Sequence, residues 1–210
     1  MLLLSDPAIG RIPVDDCGEE LVDLRNVPQL AVDSRKQDPA GAWARLRSGL
    51  VVRLLEAQMA LPANVRLLVI EGYRPAALQE KYFTEYADEL ARTHPEWPAP
   101  RVYEEASKHV SPVAVAPHPC GAAVDLTLTE GGVEVDLGTP VNATPEASAG
   151  ACFTRAEGIS PEARQRRDVL GSALSAAGMV NYPPEWWHWS YGDRYWAASV
   201  GARQAVYGPQ

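Results

Sequence analysis

Cationic residues and long apolar runs are both scarce in this chain of 210 residues. The 19 Lys and Arg residues are outnumbered by 27 Asp and Glu residues, which gives a formal net charge of −8. Contact with nucleic-acid phosphates needs a basic surface, so this balance predicts no nucleic-acid partner. The first apolar run, residues 1–4, is too short for a signal sequence or a membrane span, which predicts no membrane partner.

Cysteine is also rare, with three residues at positions 17, 120 and 152. Three thiols cannot all pair, and nothing in the sequence directs the chain to an oxidising compartment, so we expect a cytoplasmic protein. No repeat period is present, which excludes repeat architectures. Length and composition, with 46% hydrophobic residues, predict one globular domain over residues 1–210. The sequence leaves the oligomeric state open.

Hydrophobic periodicity predicts an α+β fold in which helices flank a small antiparallel sheet. Residues 1–37 are predicted to form an irregular N-terminal arm, and the proline-rich stretch 94–119 is predicted to form a long loop or a loop with a short helix. The predicted helices span residues 41–60, 76–92 and 161–177, and the predicted strands span 65–70, 122–129, 133–135 and 186–191.

His118 and His188, two of the four histidines, each lie within seven residues of an acidic residue, a spacing that allows both side chains to share one site. His118 stands between two prolines and precedes Asp125 by seven residues. On a continuous strand the two side chains would face opposite ways, so a bend at His118 is needed to bring both to one point. On a regular strand the side chains of Glu185 and His188 would also point apart. Both can reach one point if Glu185 lies on the bend that follows residues 183–184.

Two histidines, one aspartate and an uncoordinated glutamate make up the composition of a catalytic zinc site. Three protein ligands leave a fourth position for water, and the free Glu185 takes the proton of that water. The bulky aromatic neighbours of Glu185 favour a raised pKa, as a general base requires. Arg74, at the end of a predicted buried strand, is placed to face the developing oxyanion.

Spacing alone leaves a second interpretation open. In that interpretation His118 is a loop histidine and Asp125 is a solvated strand residue. Four of the six tryptophans fall within eleven residues, and they would then be ordinary core residues; they are Trp186, Trp187, Trp189 and Trp196.

Three segments resemble motifs of the D-alanyl-D-alanine dipeptidases, zinc peptidases of the kind associated with vancomycin resistance. The stretch PHPCGAAVDLTL, residues 117–128, resembles the family segment SxHxxGxAxDLTL. The stretch EGYRP, residues 71–75, is similar to the family's YRP segment, and EWWH, residues 185–188, is similar to its EWWH. The segments occur in the family's order and together cover residues 71 to 188.

This resemblance implies a role for each matching position. His118, Asp125 and His188 would bind one Zn²⁺ per chain, Glu185 would be the catalytic base, and Arg74 would stabilise the transition state. The implied fold is the α+β hedgehog/D,D-peptidase type, and the implied reaction is hydrolysis of a small D,D-dipeptide. Such a substrate connects the protein with cell-wall metabolism and antibiotic resistance.

Two departures from the family pattern lie where the family meets the charged ends of its substrate. Ala116 replaces the serine two residues before the first histidine, and Asn142 replaces the aspartate that ends the family's MGTxFD segment. We therefore keep three functions open: hydrolysis of D-Ala-D-Ala, hydrolysis of another small peptide or amide by the same scaffold, and binding of a cell-wall ligand without catalysis. Tyr73 and Trp187 either line the substrate pocket or pack in the core.

Three further residues are weaker candidates. His109 follows a serine in the manner of the metal motif, but Pro112 and Ala116 stand where glycine and aspartate are needed, so we expect a surface or loop residue. His94 is expected at a helix C-terminus. Cys120 could be a soft metal ligand or a nucleophile, but no adjacent base supports it and a small packed residue is favoured.

Overall fold

The computed structural model describes residues 2–210. Its helices are α1 (Pro7–Gly10), α2 (Ser48–Ala60), α3 (Ala76–Thr93), α4 (Ala99–Ser107), α5 (Pro161–Ala176) and α6 (Arg194–Val200). Its strands are β1 (Leu21–Asp23), β2 (Ala31–Val32), β3 (Arg45–Arg47), β4 (Val65–Glu71), β5 (Ala123–Glu130), β6 (Val133–Glu134), β7 (Val180–Asn181) and β8 (His188–Ser190).

The main sheet has the strand order β2-β4-β5-β8-β7, and β6 pairs with one end of β5. All pairs in this sheet are antiparallel except β2–β4, which is parallel. β1 and β3 form a separate antiparallel pair. The predicted α+β class is confirmed. The sheet is antiparallel as predicted except for the β2–β4 pair, which was not predicted because β2 lies in the N-terminal arm that was expected to be irregular.

The core lies on the face of the sheet that α2 and α5 cover. Leu50 and Leu54 of α2 and Leu170 and Leu174 of α5 are buried in one cluster with Leu126 of β5. Seven of the eight residues of β5 are buried, including the polar residues on its other face. Burial of β5 on both faces makes it the centre of the fold, as its β-branched and leucine-rich sequence favours.

The first predicted helix is wrong over its N-terminal part, because α2 begins at Ser48 and not at residue 41. Residues 42–44 form a short 3-10 turn, and β3 pairs with β1 in the register Leu21↔Arg47. These sheet hydrogen bonds take the backbone groups that a helix would use. The apolar spacing of this stretch is therefore satisfied by a turn and a strand.

The second and third predicted helices are confirmed as α3 and α5. The start of α5 has the predicted cap, since Ser160 Oγ accepts a hydrogen bond from the backbone N–H of Ala163 and Pro161 occupies the first helical position. The loop predicted over 94–119 contains one short helix, α4. The strand predicted over 186–191 shortens to β8, and β7 and α6 were not predicted.

One buried arginine joins the N-terminal arm and the C-terminal residues to the turn that follows His118. Arg47 is 1% exposed. Its guanidinium donates hydrogen bonds to the carbonyls of Cys120 (2.9 Å), Glu19 (2.5 Å) and Gly208 (3.0 Å) and to Oδ2 of Asp16 (2.6 Å). Several segments that are distant in sequence therefore depend on one side chain.

Between residues 2 and 210, each helix is too short or too polar to cross a bilayer. The three cysteines carry free thiols, Cys17 exposed and Cys120 and Cys152 buried.

Candidate metal centre

Three buried side chains meet where β5 pairs with β8. The possible ligand atoms of His118, Asp125 and His188 all lie within 4.8 Å of one another. Asp125 and His188 are opposite each other in the register of these strands. Oδ1 of Asp125 lies 3.4 Å from Nε2 of His118 and 3.0 Å from Nδ1 of His188. Asp125 is 2% exposed, which excludes the interpretation of a solvated strand residue.

A bend brings His118 to this cluster. Residues His118–Cys120 form one 3-10 turn, and Gly121 follows with φ 64° before β5 begins. The sequence predicted such a bend. The ring is fixed by a hydrogen bond of 2.6 Å between its Nδ1 and the carbonyl of Gly72. Since the carbonyl can only accept, Nδ1 carries the proton and Nε2 presents its lone pair to the cluster.

Glu185 lies on the turn between β7 and β8, after residues 183–184 as expected. Its Oε2 is 3.8 Å from Nδ1 of His188, and its side chain is 19% exposed. The side-chain amide of Asn181 donates to the backbone carbonyls of both Glu185 and His188, each at 3.0 Å, which fixes the turn. The carboxyl group is therefore held beside the cluster by backbone contacts.

The two acids of the centre have opposite pKa shifts. Burial, opposed by His188 and Arg74 and aided by Asp125, raises the pKa of Glu185 to about 7. Burial also acts to raise the pKa of Asp125, but the adjacent His118 and His188 outweigh it and hold this pKa well below its usual range. Asp125 is thus an ionised ligand candidate, and Glu185 has the proton affinity of a general base near neutral pH.

The donor set fits a metal ion, and zinc in particular. Two imidazole nitrogens and one carboxylate oxygen are buried and close together, and His118 has the fixed tautomer that ligating histidines show. Three protein ligands with one open position are typical of catalytic zinc sites. Glu185 stands next to the set and would complete the usual arrangement as a base that does not coordinate.

Arg74 lies at the end of β4 and reaches the same site, but its charge is already paired. Its Nε and Nη2 donate to the two carboxylate oxygens of Glu71, both at 2.7 Å, and its Nη1 donates to Oε1 of Gln79 at 2.9 Å. Nη2 is also 4.0 Å from Oδ2 of Asp125. The structure therefore brings Arg74 to the site in a fixed orientation, and it adds Glu71 and Gln79, which the sequence did not indicate.

The cluster of His118, Asp125 and His188 lines a cavity of about 350 Å³. Of the residues expected to meet substrate, Ala116, Asn142 and Trp187 line this cavity. Trp187 is 2% exposed and also belongs to the hydrophobic core, so both interpretations of it hold. Tyr73 is not among the lining residues, and its hydroxyl instead donates to the carbonyl of Gln210 at 3.4 Å.

The remaining histidines and Cys120 lie outside the metal cluster. His109 is a half-buried loop residue after α4 that lines the cavity and packs edge-on against Tyr86. His94 caps the C-terminus of α3. Burial raises the pKa of Cys120 to about 12, so the buried thiol is protonated and unsuited to nucleophilic attack.

Gly72 is a site residue that sequence reasoning missed, although a glycine at the end of a strand often marks a close backbone approach. A Cβ at this position would lie 2.5 Å from the carbonyl oxygen of Arg45. The carbonyl of Gly72 holds His118, so any displacement of this backbone reaches a candidate metal ligand.

We expect Gly72→Ala to destabilise the protein by about 1–3 kcal/mol through overpacking. It should also weaken zinc affinity by about 10–100-fold, as loss of a ligand's hydrogen-bond partner does. Urea denaturation and zinc titration against a competing chelator measure the two effects. Gly158→Ala is the matched control, because a Cβ at Gly158 would meet no atom of residues 2–210 within 4 Å apart from its two chain neighbours. Equal zinc affinities for the two variants would contradict the role given to Gly72.

An α+β fold with a buried His-Asp-His cluster and an adjacent glutamate is typical of a metallopeptidase. Residues 36–204 match the model of the peptidase M15 family described as D-ala-D-ala dipeptidase. The chain is also 31% identical to a D-alanyl-D-alanine dipeptidase of Synechocystis sp. over 222 aligned residues, which cover 91% of this chain and 90% of that protein. The chain therefore belongs to the D-ala-D-ala dipeptidase family of M15 peptidases, and the resemblance found in the sequence is confirmed.

Two solved structures are also similar to the chain. One is VanYB in complex with D-Alanine-D-Alanine, with 19% identity, a TM-score of 0.46 and coverage of 78% of this chain and 80% of that one. The other is a variant of the vancomycin resistance D,D-pentapeptidase VanY in complex with Zn(II), with 18% identity, a TM-score of 0.41 and coverage of 92% and 90%.

Proposed function

We propose that this protein is a zinc-dependent dipeptidase that hydrolyses D-Ala-D-Ala or a closely related short peptide. The observation that carries this proposal is the approach of three buried ligand candidates and one glutamate at the base of a single cavity. A cavity of about 350 Å³ is of the size that accepts a small ligand. Family membership supports peptide hydrolysis, and the Synechocystis relative is named for D-Ala-D-Ala.

His118, Asp125 and His188 would hold one zinc ion per chain. When bound, the ion supplies a Lewis acid and lowers the pKa of water, which makes water a usable nucleophile. Glu185 accepts the proton of the attacking water and then delivers it to the nitrogen of the leaving amine. Because its pKa is raised to about 7, Glu185 can take up and release a proton near neutral pH.

Arg74 would stabilise the negative charge that develops on the carbonyl oxygen. Glu71 and Gln79 engage one N–H of each of its three nitrogens, so two N–H groups remain for the substrate. The same contacts hold the guanidinium in one place before substrate binds. Such a preorganised donor is effective because it does not need to reorient during the reaction.

The site residues define the substrate less closely than they define the reaction. Ala116 is buried in the cavity wall without a hydroxyl, and Asn142 is exposed on the cavity edge as a neutral amide. Because of these residues, hydrolysis of a different small peptide or amide is the second candidate function, and binding of a cell-wall ligand without catalysis is the third. Hydrolysis of D-Ala-D-Ala is the first candidate function, and it would give the protein a role in cytoplasmic cell-wall precursor metabolism and antibiotic resistance.

A hydrolysis panel tests the proposal. We expect the zinc-loaded protein to cleave D-Ala-D-Ala faster than L-Ala-L-Ala or N-acetyl-D-Ala-D-Ala, and the chelated protein to regain activity when zinc is added. A preference for the N-acetylated peptide would favour a carboxypeptidase on the same scaffold. Zinc binding without turnover of any peptide would leave the non-catalytic alternative.

We also propose that residues 1–210 form one catalytic domain. The N-terminal arm contributes β2 to the main sheet and Lys36 to the wall of the metal cavity. Arg47 ties the same arm to the turn that carries His118. The N-terminal arm therefore forms part of the cavity wall.

A further inference from the structure

The metal cavity contains one cation whose charge is not fully engaged. Two lysine or arginine residues line the cavity within the described part of the chain, Lys36 and Arg74. The guanidinium of Arg74 is held by both oxygens of Glu71. Nζ of Lys36 is 3.9 Å from Oε2 of Glu71, which is too long for a hydrogen bond. Among residues 2–210 no hydrogen-bond acceptor is found for this ammonium group, and its side chain lines the cavity and is 29% exposed.

Lys36 lies on a turn after β2 and packs on an aromatic ring. The start of this turn is tied to neighbouring segments, since Asp33 N–H donates to the carbonyl of Val69 at 2.8 Å and Trp43 Nε1 donates to the carbonyl of Asp33 at 2.8 Å. Its ammonium group stands over the ring of Tyr82, 5.3 Å from the centroid. A lysine held in this way loses less conformational entropy when it binds an anion.

The ammonium group is also at a suitable distance from the metal cluster. Glu71, its nearest acid, is paired in register with Asp125 on the neighbouring strand. Side chains opposite each other in a sheet have Cβ atoms about 5 Å apart. The one residue between the scissile bond and the terminal carboxylate spans about 3.5 Å, and a hydrogen bond adds about 3 Å. A dipeptide with its scissile bond at the cluster can therefore place its terminal carboxylate near Lys36.

We infer that Lys36 binds the C-terminal carboxylate of the substrate and thereby selects peptides that end at this position. This inference rests on the proposed peptidase function. A carboxylate that enters the cavity needs a hydrogen-bond donor and a positive charge. Lys36 supplies both without changing the chemistry at the metal.

The test compares D-Ala-D-Ala with its C-terminal amide in the zinc-loaded wild type and in Lys36→Met. We expect the wild type to prefer the free acid. In Lys36→Met the KM for the acid should rise about 10–100-fold, the loss typical of one hydrogen bond to a charged group, while kcat stays within about threefold. The kcat/KM for the amide should be unchanged, so the preference disappears. Lys36→Arg should restore part of it, and Lys81→Met, on the exposed face of α3, should change neither substrate.

Each other outcome has a separate meaning. Equal losses for acid and amide, with a lower melting temperature, would show that Lys36 only supports Glu71 and Tyr82, and this would overturn the inference. Retention of the acid preference in Lys36→Met would overturn it while leaving the proposed function intact. If the wild type cleaves neither compound nor any other peptide, the proposed function and the inference both fail.

Discussion

Replacing Glu185 with glutamine is expected to lower kcat/KM by about 10²–10⁴-fold, the usual contribution of a general base. The variant should still bind one zinc ion. Glutamine has the same shape and keeps the backbone contacts of the turn, but it cannot accept the proton of the attacking water. Glu185 stands beside the cluster of His118, Asp125 and His188 and is not a member of it, so the metal should remain.

Zinc content after dialysis and hydrolysis of D-Ala-D-Ala are the two measurements for Glu185→Gln. Glu80→Gln is the control, because Glu80 is exposed on α3 and does not line the cavity. Near wild-type turnover of Glu185→Gln would remove the base from the proposed mechanism. Loss of zinc together with activity would instead make Glu185 a ligand.

The largest effect on stability is expected for Arg47→Met, at about 3–5 kcal/mol, because it removes a buried guanidinium that donates to four acceptors, and each buried acceptor left without a donor costs about 1–3 kcal/mol. The substitution would leave the buried carbonyls of Cys120 and Gly208, and the half-buried carbonyl of Glu19, without this donor. Burial acts to raise the pKa of Asp16, but the backbone N–H groups of Gly18 and Gly208, together with Arg47, hold it below its usual value, and the substitution would remove the Arg47 part of this effect. Methionine fills similar space, so the loss would arise mainly from polar contacts.

Urea denaturation of the metal-free protein measures this effect. Lys81→Met is the control, since Lys81 and Glu85 form an exposed pair at 3.8 Å, and its loss should cost no more than about 0.5 kcal/mol. A loss below about 1 kcal/mol in Arg47→Met, within the range of an exposed pair, would mean that the arm and the turn are held in place by other contacts.

The parts of the fold that the sequence predicted are those with strong local patterns. α3 and α5 have apolar residues at helical spacing, and α5 has its cap and proline signals. The start of α2 could not be predicted in this way, because β3 exists only through its pairing with β1, more than twenty residues away. β7 has two residues, too few for a periodic pattern to develop.

The parts of the candidate site that could be predicted are those marked by neighbouring residues in the sequence. His118 and Glu185 each follow or adjoin prolines, and this was enough to predict that they lie on bends. Gly72 acts through a backbone carbonyl that has no residue signature, and Asn181 acts through an amide on a turn. Lys36 reaches the cavity from an arm that was predicted to be irregular, so its role depends on tertiary structure alone.

The pairing of Asp125 with His188 also has a consequence for how the protein folds. The two residues are 63 positions apart, so the chain must close a long loop before both side chains are present in one place. The entropy of that closure is lost before any metal bond can form. A metal ion would therefore meet all three candidate ligands only where β5 and β8 are paired, and would stabilise the native state against opening of this pair.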